Sequence, residues 1–187
     1  TRARVYKADI LRPKASRALL RRTAPEAVAS DEAVATRLCE RLEYLPLALT
    51  LAGRYLANAA DMPHLLPGLL AELNARSNAR LNLLQSEGRL GLTESEPVSL
   101  RAILGLSVER LTKSDQERLA MLAVFGSEPL TWTSEAAKAV WECDQQESDR
   151  TILRFIQRGL VEPWGGRYRM HALLADYAQS MMDNMGL

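Results

Sequence analysis

The sequence is poor in the residues that most often bind metals or carry covalent chemistry. Its 187 residues include only two cysteines and two histidines. Cys39 and Cys143 form no Cys-x-x-Cys pair and are too few for a zinc site. We therefore expect two buried free thiols in a reducing compartment. Histidine, cysteine and aspartate cluster nowhere at metal-ligand spacing, so we expect no metal site.

The chain also lacks an excess of charge of one sign and any long apolar run. Its net charge is +1, which provides no overall basic field to attract nucleic acid. No apolar run reaches the roughly 18 residues of a membrane span, and no signal peptide is visible. We therefore expect a cytoplasmic protein without a membrane partner. The chain opens on Thr1 and Arg2 rather than on methionine, and we expect it to be a fragment of a longer protein.

No complete catalytic constellation is present. The sequence contains no G-x-x-x-x-G-K-[ST] phosphate loop, no G-x-G-x-x-G and no G-x-S-x-G elbow. His64, between Pro63 and Leu65, is better interpreted as a helix-start residue than as a ligand. The chain is 47% hydrophobic and 25% charged, which suits a globular protein with a core. We expect such a protein here, without enzymatic activity of its own.

The first half of the chain has the apolar spacing of a small helical bundle. We expect helices over 14–22, from a cap at Ser30 to about Leu42, from Pro46 onward, and over 64–76. The helix that begins at Pro46 has an apolar stripe, which we expect to be buried: Ala48, Leu51, Ala52, Tyr55, Leu56 and Ala59. Between Ser77 and Pro97 the spacing weakens and linker residues appear. The sequence thus predicts two domains, 1–96 and 97–187.

The second half predicts three helices, a β-hairpin and a last helix. Ser114 with Glu117 forms the pattern of a capping box, from which a helix runs to about Phe125. A short helix follows over 134–142, and another runs from a cap at Ser148 to a stop at Gly159, with Ile152, Leu153 and Ile156 facing inward. "LVEP", "WGG" and "RYRMH" are typical of strand, turn and strand. The last helix starts at Ala172, with Leu174, Tyr177, Ala178 and Met181 as its stripe. The predicted fold class is mainly α, a small helical bundle followed by a winged helix with a short hairpin wing.

The predicted wing carries three basic side chains. Strand alternation places Arg167, Arg169 and His171 on one face. His171 also precedes a helix start, where free N–H groups favour negative charge. This pattern makes the face a candidate phosphate contact. The alternative is a solvated basic strand face with a histidine that only caps the helix.

Two segments resemble the NB-ARC, or STAND, family of signalling ATPases. "YLPLALTLAGRYL" (44–56) resembles the Gly-x-Pro and Leu-Ala-Leu segment of the family's ARC helical subdomain. "FIQRGLVEPWGGRYRMHALLADYA" (155–178) resembles the end of its winged-helix subdomain, where a Met-His-Asp motif lies. The segments between them also follow the family's order, and the resemblance covers residues 9–183. The glycine of Gly-x-Pro is replaced by Glu43 or Tyr44, and the motif's aspartate, which helps to hold the family's closed state, is Ala172.

The resemblance implies a nucleotide-sensing role. In the family, the proline at the position of Pro46 packs on adenine, and the histidine at the position of His171 reaches the β-phosphate of ADP. Arg2 matches the end of the family's Thr-Arg sensor. The implied function is a regulatory module that holds ADP in a closed state and swings open on exchange for ATP. Implied partners are an upstream nucleotide-binding domain of the same protein, with ADP or ATP and Mg, and further copies of the parent protein after activation.

Two other functions stay open. A DNA-binding winged helix would use a recognition helix over about 148–158, with Arg150, Arg154 and Arg158 on one face and wing residues Arg167 and Arg169 beside it. Glu147 and Asp149 at the start of that helix, and the near-zero net charge, argue against DNA binding. The third function is an adaptor scaffold without any ligand.

Overall fold

The structure, a computed structural model, describes the backbone of residues 10–58, 65–86 and 98–186. The chain divides into two compact units, Thr1–Ile103 and Leu104–Leu187. Helix α6 (Val98–Glu109) contains the point of division, which lies a few residues after the predicted boundary at residue 97. Residues 87–97, the rest of the predicted linker, lie outside the described part of the chain.

The described residues of the first unit form a bundle of helices. Before α6 these are α1 (Pro13–Thr23), α2 (Pro25–Ser30), α3 (Glu32–Arg41), α4 (Pro46–Ala57) and α5 (Leu65–Ser86). Three of them begin with proline, whose fixed φ suits the first helical position and whose missing N–H costs nothing there. The predicted starts near Pro13 and at Pro46 are confirmed.

The predicted cap at Ser30 is wrong. Ser30 is the last residue of α2, and its hydroxyl donates to the Ala27 carbonyl at 2.7 Å. The cap of α3 is Asp31, whose carboxylate accepts the Val34 N–H at 2.8 Å. Helix α2 has only six residues, which is too few for apolar periodicity to reveal it. Ser30, its polar last residue, is therefore easily mistaken for the cap of the next helix.

The core of the first unit lies between α1 and α4, with α2 and α3 packed against α1 and α5 packed against α3. Of the predicted α4 stripe, four members are buried, Tyr55 is half-buried and Ala59 lies outside the described residues; the buried four are Ala48, Leu51, Ala52 and Leu56. Gly53 permits the close approach of α1, because a Cβ there would lie 1.9 Å from Thr23 Oγ1.

Helix α5 is longer than the sequence predicts. It continues to Ser86 rather than ending near residue 76. Its apolar spacing weakens after Ser77, but the chain has neither glycine nor proline between Gly68 and Gly88. Nothing in the local sequence therefore breaks the helix.

The second unit has the order of a winged helix, and the predicted fold class is confirmed. After α6 come α7 (Lys113–Met121), a 3₁₀ turn (Leu122–Phe125), α8 (Ser134–Trp141), α9 (Gln145–Arg158), β1 (Glu162–Trp164), β2 (Arg167–Arg169) and α10 (Ala172–Met185). Helix α10 packs on α7 and on the 3₁₀ turn, and α8 packs on α9. The predicted left-handed stop at Gly159 has φ 75°.

The wing is an antiparallel hairpin, in which Glu162 pairs with Arg169 and Trp164 with Arg167. Gly165 and Gly166 form its turn with φ of 55° and 75°, values that favour glycine. An isolated β-bridge joins Trp132 to Tyr168 of β2, with N–H···O distances of 2.9 and 2.8 Å. The sequence does not predict this bridge, since a single bridged residue is too short for alternation to appear.

Two predicted caps of the second unit are wrong. Thr112, not Ser114, caps α7 and accepts the Asp115 N–H at 3.1 Å. Asp144, not Ser148, caps α9 and accepts the Glu147 N–H at 2.8 Å. Each helix start carries several polar residues, and the cap is the one whose backbone is extended.

The core of the second unit is built around α7, α9 and α10. Ile152 and Phe155 of α9 and Leu174 and Ala178 of α10 are buried. Three predicted inward residues, Ile156, Tyr177 and Met181, are only half-buried. Leu153, also predicted to face inward, is 54% exposed, because the side of α9 that packs passes through Thr151 and Phe155 instead.

Candidate functional site

His171 joins the wing to helix α10 and caps that helix. Its backbone is extended, and its Nδ1 accepts the Leu173 N–H at 3.2 Å. Its carbonyl accepts the N–H groups of Leu174 and Ala175 at 2.9 and 3.0 Å. The capping role left open by the sequence is therefore present in the structure.

The cap also determines which ring nitrogen of His171 carries the proton. A backbone N–H can only donate, so Nδ1 is the acceptor and the neutral ring carries its hydrogen on Nε2. The side chain is 31% exposed, and Nε2 lies 3.8 Å from Glu128 Oε1. The ring thus presents a hydrogen-bond donor away from the helix that it caps.

Arg169 lies on the same face as His171 and is held by carboxylates. Its Nε and Nη2 donate to Glu162 Oε2 at 3.1 and 2.8 Å. Its Nη1 lies 3.4 Å from Glu128 Oε2, and its guanidinium carbon lies 3.9 Å from the centre of the Trp164 ring. The charge of Arg169 is therefore already compensated within the unit.

Arg167 does not join this pair. Its Nε and Nη2 donate to the hydroxyl and the carbonyl of Thr131, both at 2.8 Å. The structure thus brings Arg169 and His171 together at the Glu128 carboxylate, whereas Arg167 is held by Thr131. The predicted three-membered basic face is reduced to two members.

Glu128 is the residue of this site that sequence reasoning missed. Its backbone N–H donates at 3.0 Å to the carbonyl of Met170, the residue between Arg169 and His171. Its two carboxylate oxygens face the two basic side chains, Oε2 toward Arg169 and Oε1 toward His171. No local pattern marks an acid at this position, since its partners lie about forty residues further along the chain.

Pro46 lies in the first unit, at the first position of α4, and is half exposed. Glu43 and Tyr44, in the turn before α4, have φ of 54° and 58°. The Leu11 N–H donates to the Tyr44 carbonyl at 2.9 Å, so this turn also holds the incoming chain. Arg2 and His64, the two other residues singled out from the sequence, lie outside the described residues.

The arginines of α9 are not equivalent. Arg154 forms a two-pronged pair with Asp115 at 3.0 and 2.8 Å and also donates to Thr151 at 2.8 Å. Arg150 is exposed and Arg158 half-exposed, and within the described part of the chain neither side chain forms a hydrogen bond or an ion pair. The predicted row of three outward arginines is therefore interrupted at its centre.

The two cysteines differ in burial. Both are free; Cys39 is buried, whereas Cys143 is only half-buried, contrary to the expectation of two buried thiols. Burial raises the pKa of the Cys39 thiol to about 11, which keeps it protonated and unreactive near neutral pH. In residues 10–58, 65–86 and 98–186, no three histidine, cysteine or acidic side chains are grouped to hold a metal ion.

Comparison with known proteins does not identify a family for this chain. No protein-family model matches the chain, and a search of curated proteins finds no match. Among the helices of the described segments, none combines the length and the low polarity needed to span a membrane.

Proposed function

We propose that this chain is a regulatory nucleotide-sensing module of a STAND-type ATPase in the cytoplasm. The module holds ADP in a closed state and opens when ADP is exchanged for ATP. The nucleotide and its Mg are bound mainly by an upstream domain of the same protein, so the module itself is not an enzyme. Once open, the parent protein assembles with further copies of itself. The observation that carries the proposal is the geometry of His171: its Nδ1 caps α10, and its Nε2 is a donor directed away from that helix.

The cap gives His171 the properties that a phosphate sensor needs. Because Nδ1 is occupied by the Leu173 N–H, the ring cannot rotate freely and Nε2 is the donor in the neutral form. A hydrogen bond from this N–H to a charged phosphate oxygen contributes about 1.5–3 kcal/mol. When ADP leaves, this contact is lost, and the equilibrium moves toward the open state by the same free energy.

Pro46 supports the proposal through its own position in the first unit. As the first residue of α4 it has a fixed φ, and the left-handed turn at Glu43 and Tyr44 determines where its ring lies. A half-exposed, rigid pyrrolidine is suited to pack on the flat face of a purine. Arg2 would add a contact to the nucleotide from the start of the chain.

The test separates the cap from the phosphate contact. Asparagine is a preferred cap residue, so His171→Asn keeps an acceptor for the Leu173 N–H but removes the donor at Nε2. His171→Ala removes both groups. We expect both variants of the full-length parent protein to release ADP roughly tenfold faster than wild type, a change of about 1.4 kcal/mol.

Stability provides the control for this experiment. His171→Ala should lower the free energy of unfolding by about 0.5–2 kcal/mol through loss of the cap, whereas His171→Asn should stay close to wild type. Release of ADP from the folded His171→Asn variant at the wild-type rate would leave His171 with its capping role alone and remove the proposed sensing role.

The contacts of α9 favour this proposal over a DNA-binding winged helix. Reading DNA with this helix requires Arg154, but its guanidinium is held by Asp115 and Thr151. Asp149, next to Arg150 on the same helix, is exposed and adds a negative charge to the face that would approach DNA. A salt titration of DNA binding distinguishes the two functions: micromolar affinity that falls steeply with salt would favour DNA.

A further inference from the structure

Glu128 occupies the place where the proposed phosphate contact would form. We infer that Glu128 is an intramolecular competitor: its carboxylate lies between Arg169 and His171, and a phosphoryl group binds there only by displacing it. This inference rests on the proposed function, since it concerns the regulation of the same site. It differs from that function in naming a residue of this chain that opposes ligand binding.

The distances indicate that the carboxylate is positioned but weakly held. Glu128 Oε2 lies 3.4 Å from Arg169 Nη1, and Oε1 lies 3.8 Å from His171 Nε2. Hydrogen bonds from nitrogen to oxygen are usually about 2.7–3.2 Å long. Neither basic group therefore makes its best contact with Glu128, and a tetrahedral anion can approach both more closely.

The backbone allows the carboxylate to leave without local unfolding. The Glu128 N–H is bonded to the Met170 carbonyl at 3.0 Å, and this bond does not involve the side chain. The Glu128 side chain is 33% exposed, so a rotation about its own bonds brings the carboxylate into water. Displacement then costs the two long contacts with Arg169 and His171 and no backbone hydrogen bond.

The charges explain why displacement is required. With His171 neutral, Arg169 provides one positive charge against the two negative charges of Glu128 and Glu162. A phosphate added to this set would meet net negative charge. Movement of Glu128 into water removes the nearer opposing charge from Nε2 of His171 and frees one edge of the Arg169 guanidinium.

The backbone N–H groups at the start of α10 do not provide the attraction for a phosphate. The N–H groups of Leu173, Leu174 and Ala175 already donate to His171. The site therefore depends on the two side chains and on the carboxylate that separates them.

The experiment measures phosphate binding by the chain as it is. The chain has only two histidines, so the ring signals of His171 in an NMR spectrum are assigned by comparison with His171→Asn. Inorganic phosphate and ADP are titrated separately, at constant ionic strength, into wild type, Glu128→Gln and Glu162→Gln. Glu162→Gln is the matched control, because it removes a carboxylate from Arg169 but leaves Glu128 beside His171.

We expect Glu128→Gln to bind inorganic phosphate about three- to tenfold more tightly than wild type, and Glu162→Gln to gain less. Tighter binding of ADP than of inorganic phosphate would identify a nucleotide as the source of the phosphoryl group. Equal gains in affinity in the two variants would contradict the role of Glu128 as a competitor, since removal of either carboxylate would then have the same effect.

Two further outcomes separate this inference from the proposed function. If wild type and Glu128→Gln bind phosphate equally, with the His171 signals moving in both, Glu128 does not compete but the His171 contact stands. If the His171 signals of the folded proteins change with neither phosphate nor ADP, the result contradicts both the proposed phosphate contact and the competing role of Glu128.

Discussion

Glu43 and Tyr44 adopt a left-handed backbone conformation that non-glycine residues rarely use. Their φ angles are 54° and 58°, and Leu45 separates this pair from Pro46. The turn is stabilised by hydrogen bonds from the Tyr44 N–H to the Cys39 carbonyl and from the Leu11 N–H to the Tyr44 carbonyl. Each left-handed residue other than glycine costs roughly 1–2 kcal/mol. Two consecutive residues other than glycine in this conformation therefore leave backbone strain close to the proposed ligand contact of Pro46.

The strain at Tyr44 can be measured with two variants. Tyr44→Gly and Tyr44→Ala both remove the half-buried ring, but only glycine adopts the positive φ without a steric penalty. We expect Tyr44→Gly to be more stable than Tyr44→Ala by about 1 kcal/mol in urea unfolding. An alanine variant as stable as the glycine variant would mean that the turn relaxes when the side chain is lost.

At the scale of the elements, an ion network joins α7 to α9. Asp115 of α7, only 5% exposed, pairs with Arg154 of α9, and Arg118 of α7 pairs with Glu147 of α9. The Trp141 Nε1–H donates to the Arg118 carbonyl at 2.9 Å and adds α8 to the same network. These contacts connect the three helices that precede the wing.

The two arginines one turn apart on α9 provide a matched pair of variants. Arg154→Met leaves Asp115 as a buried charge without its main partner, which we expect to lower the free energy of unfolding by about 3 kcal/mol. Arg150→Met alters an exposed residue and should change stability by less than about 0.5 kcal/mol. Equal effects in urea unfolding would show that Asp115 is stabilised without Arg154.

The same network should make stability depend on pH. The hydrogen bond from Arg118 is the main reason that the pKa of Glu147 lies below its ordinary value of 4.5, with further lowering by Arg154. A lowered pKa in the folded state means that the ionised carboxylate stabilises the fold above about pH 4.5, and that this stability is lost as pH falls through the folded value. Glu147→Gln should therefore lose less stability than wild type between pH 5 and about pH 3.

Arg118→Met is the companion variant in this measurement, because it removes the main cause of the lowered pKa while keeping Glu147 ionisable. Its unfolding free energy should also depend less on pH than that of wild type. A pH dependence identical in all three proteins would assign acid sensitivity to other carboxylates.

At the scale of the whole molecule, we expect this chain alone not to hydrolyse ATP. The sequence lacks a phosphate loop, and the described residues of both units hold no acidic or histidine group arranged to bind a metal ion. The measurement is magnesium-dependent phosphate release by the purified chain, with His171→Asn as the control. Release that requires Mg and disappears in the control would contradict the proposed regulatory role.

What the sequence by itself determined are the features controlled by backbone geometry within a few residues. The helix starts at Pro13 and Pro46, the stop at Gly159 and the hairpin turn at Gly165 and Gly166 were all predicted. Proline restricts φ and glycine permits positive φ wherever they stand in the chain, so these residues act before any packing forms. Together with apolar spacing, they were enough to predict a helical bundle followed by a winged helix.

Only the tertiary structure decided which charged groups meet. Arg154 pairs with Asp115 thirty-nine residues away, and Arg167 bonds to Thr131 thirty-six residues away. Glu128 reaches Arg169 and His171 because its backbone N–H is hydrogen-bonded to Met170, the residue between them. A long polar side chain takes its partner from whichever group folding brings within a few ångströms, and no local pattern encodes that choice. The sequence therefore predicted His171 as a candidate, whereas the acid that opposes it became visible only in the folded chain.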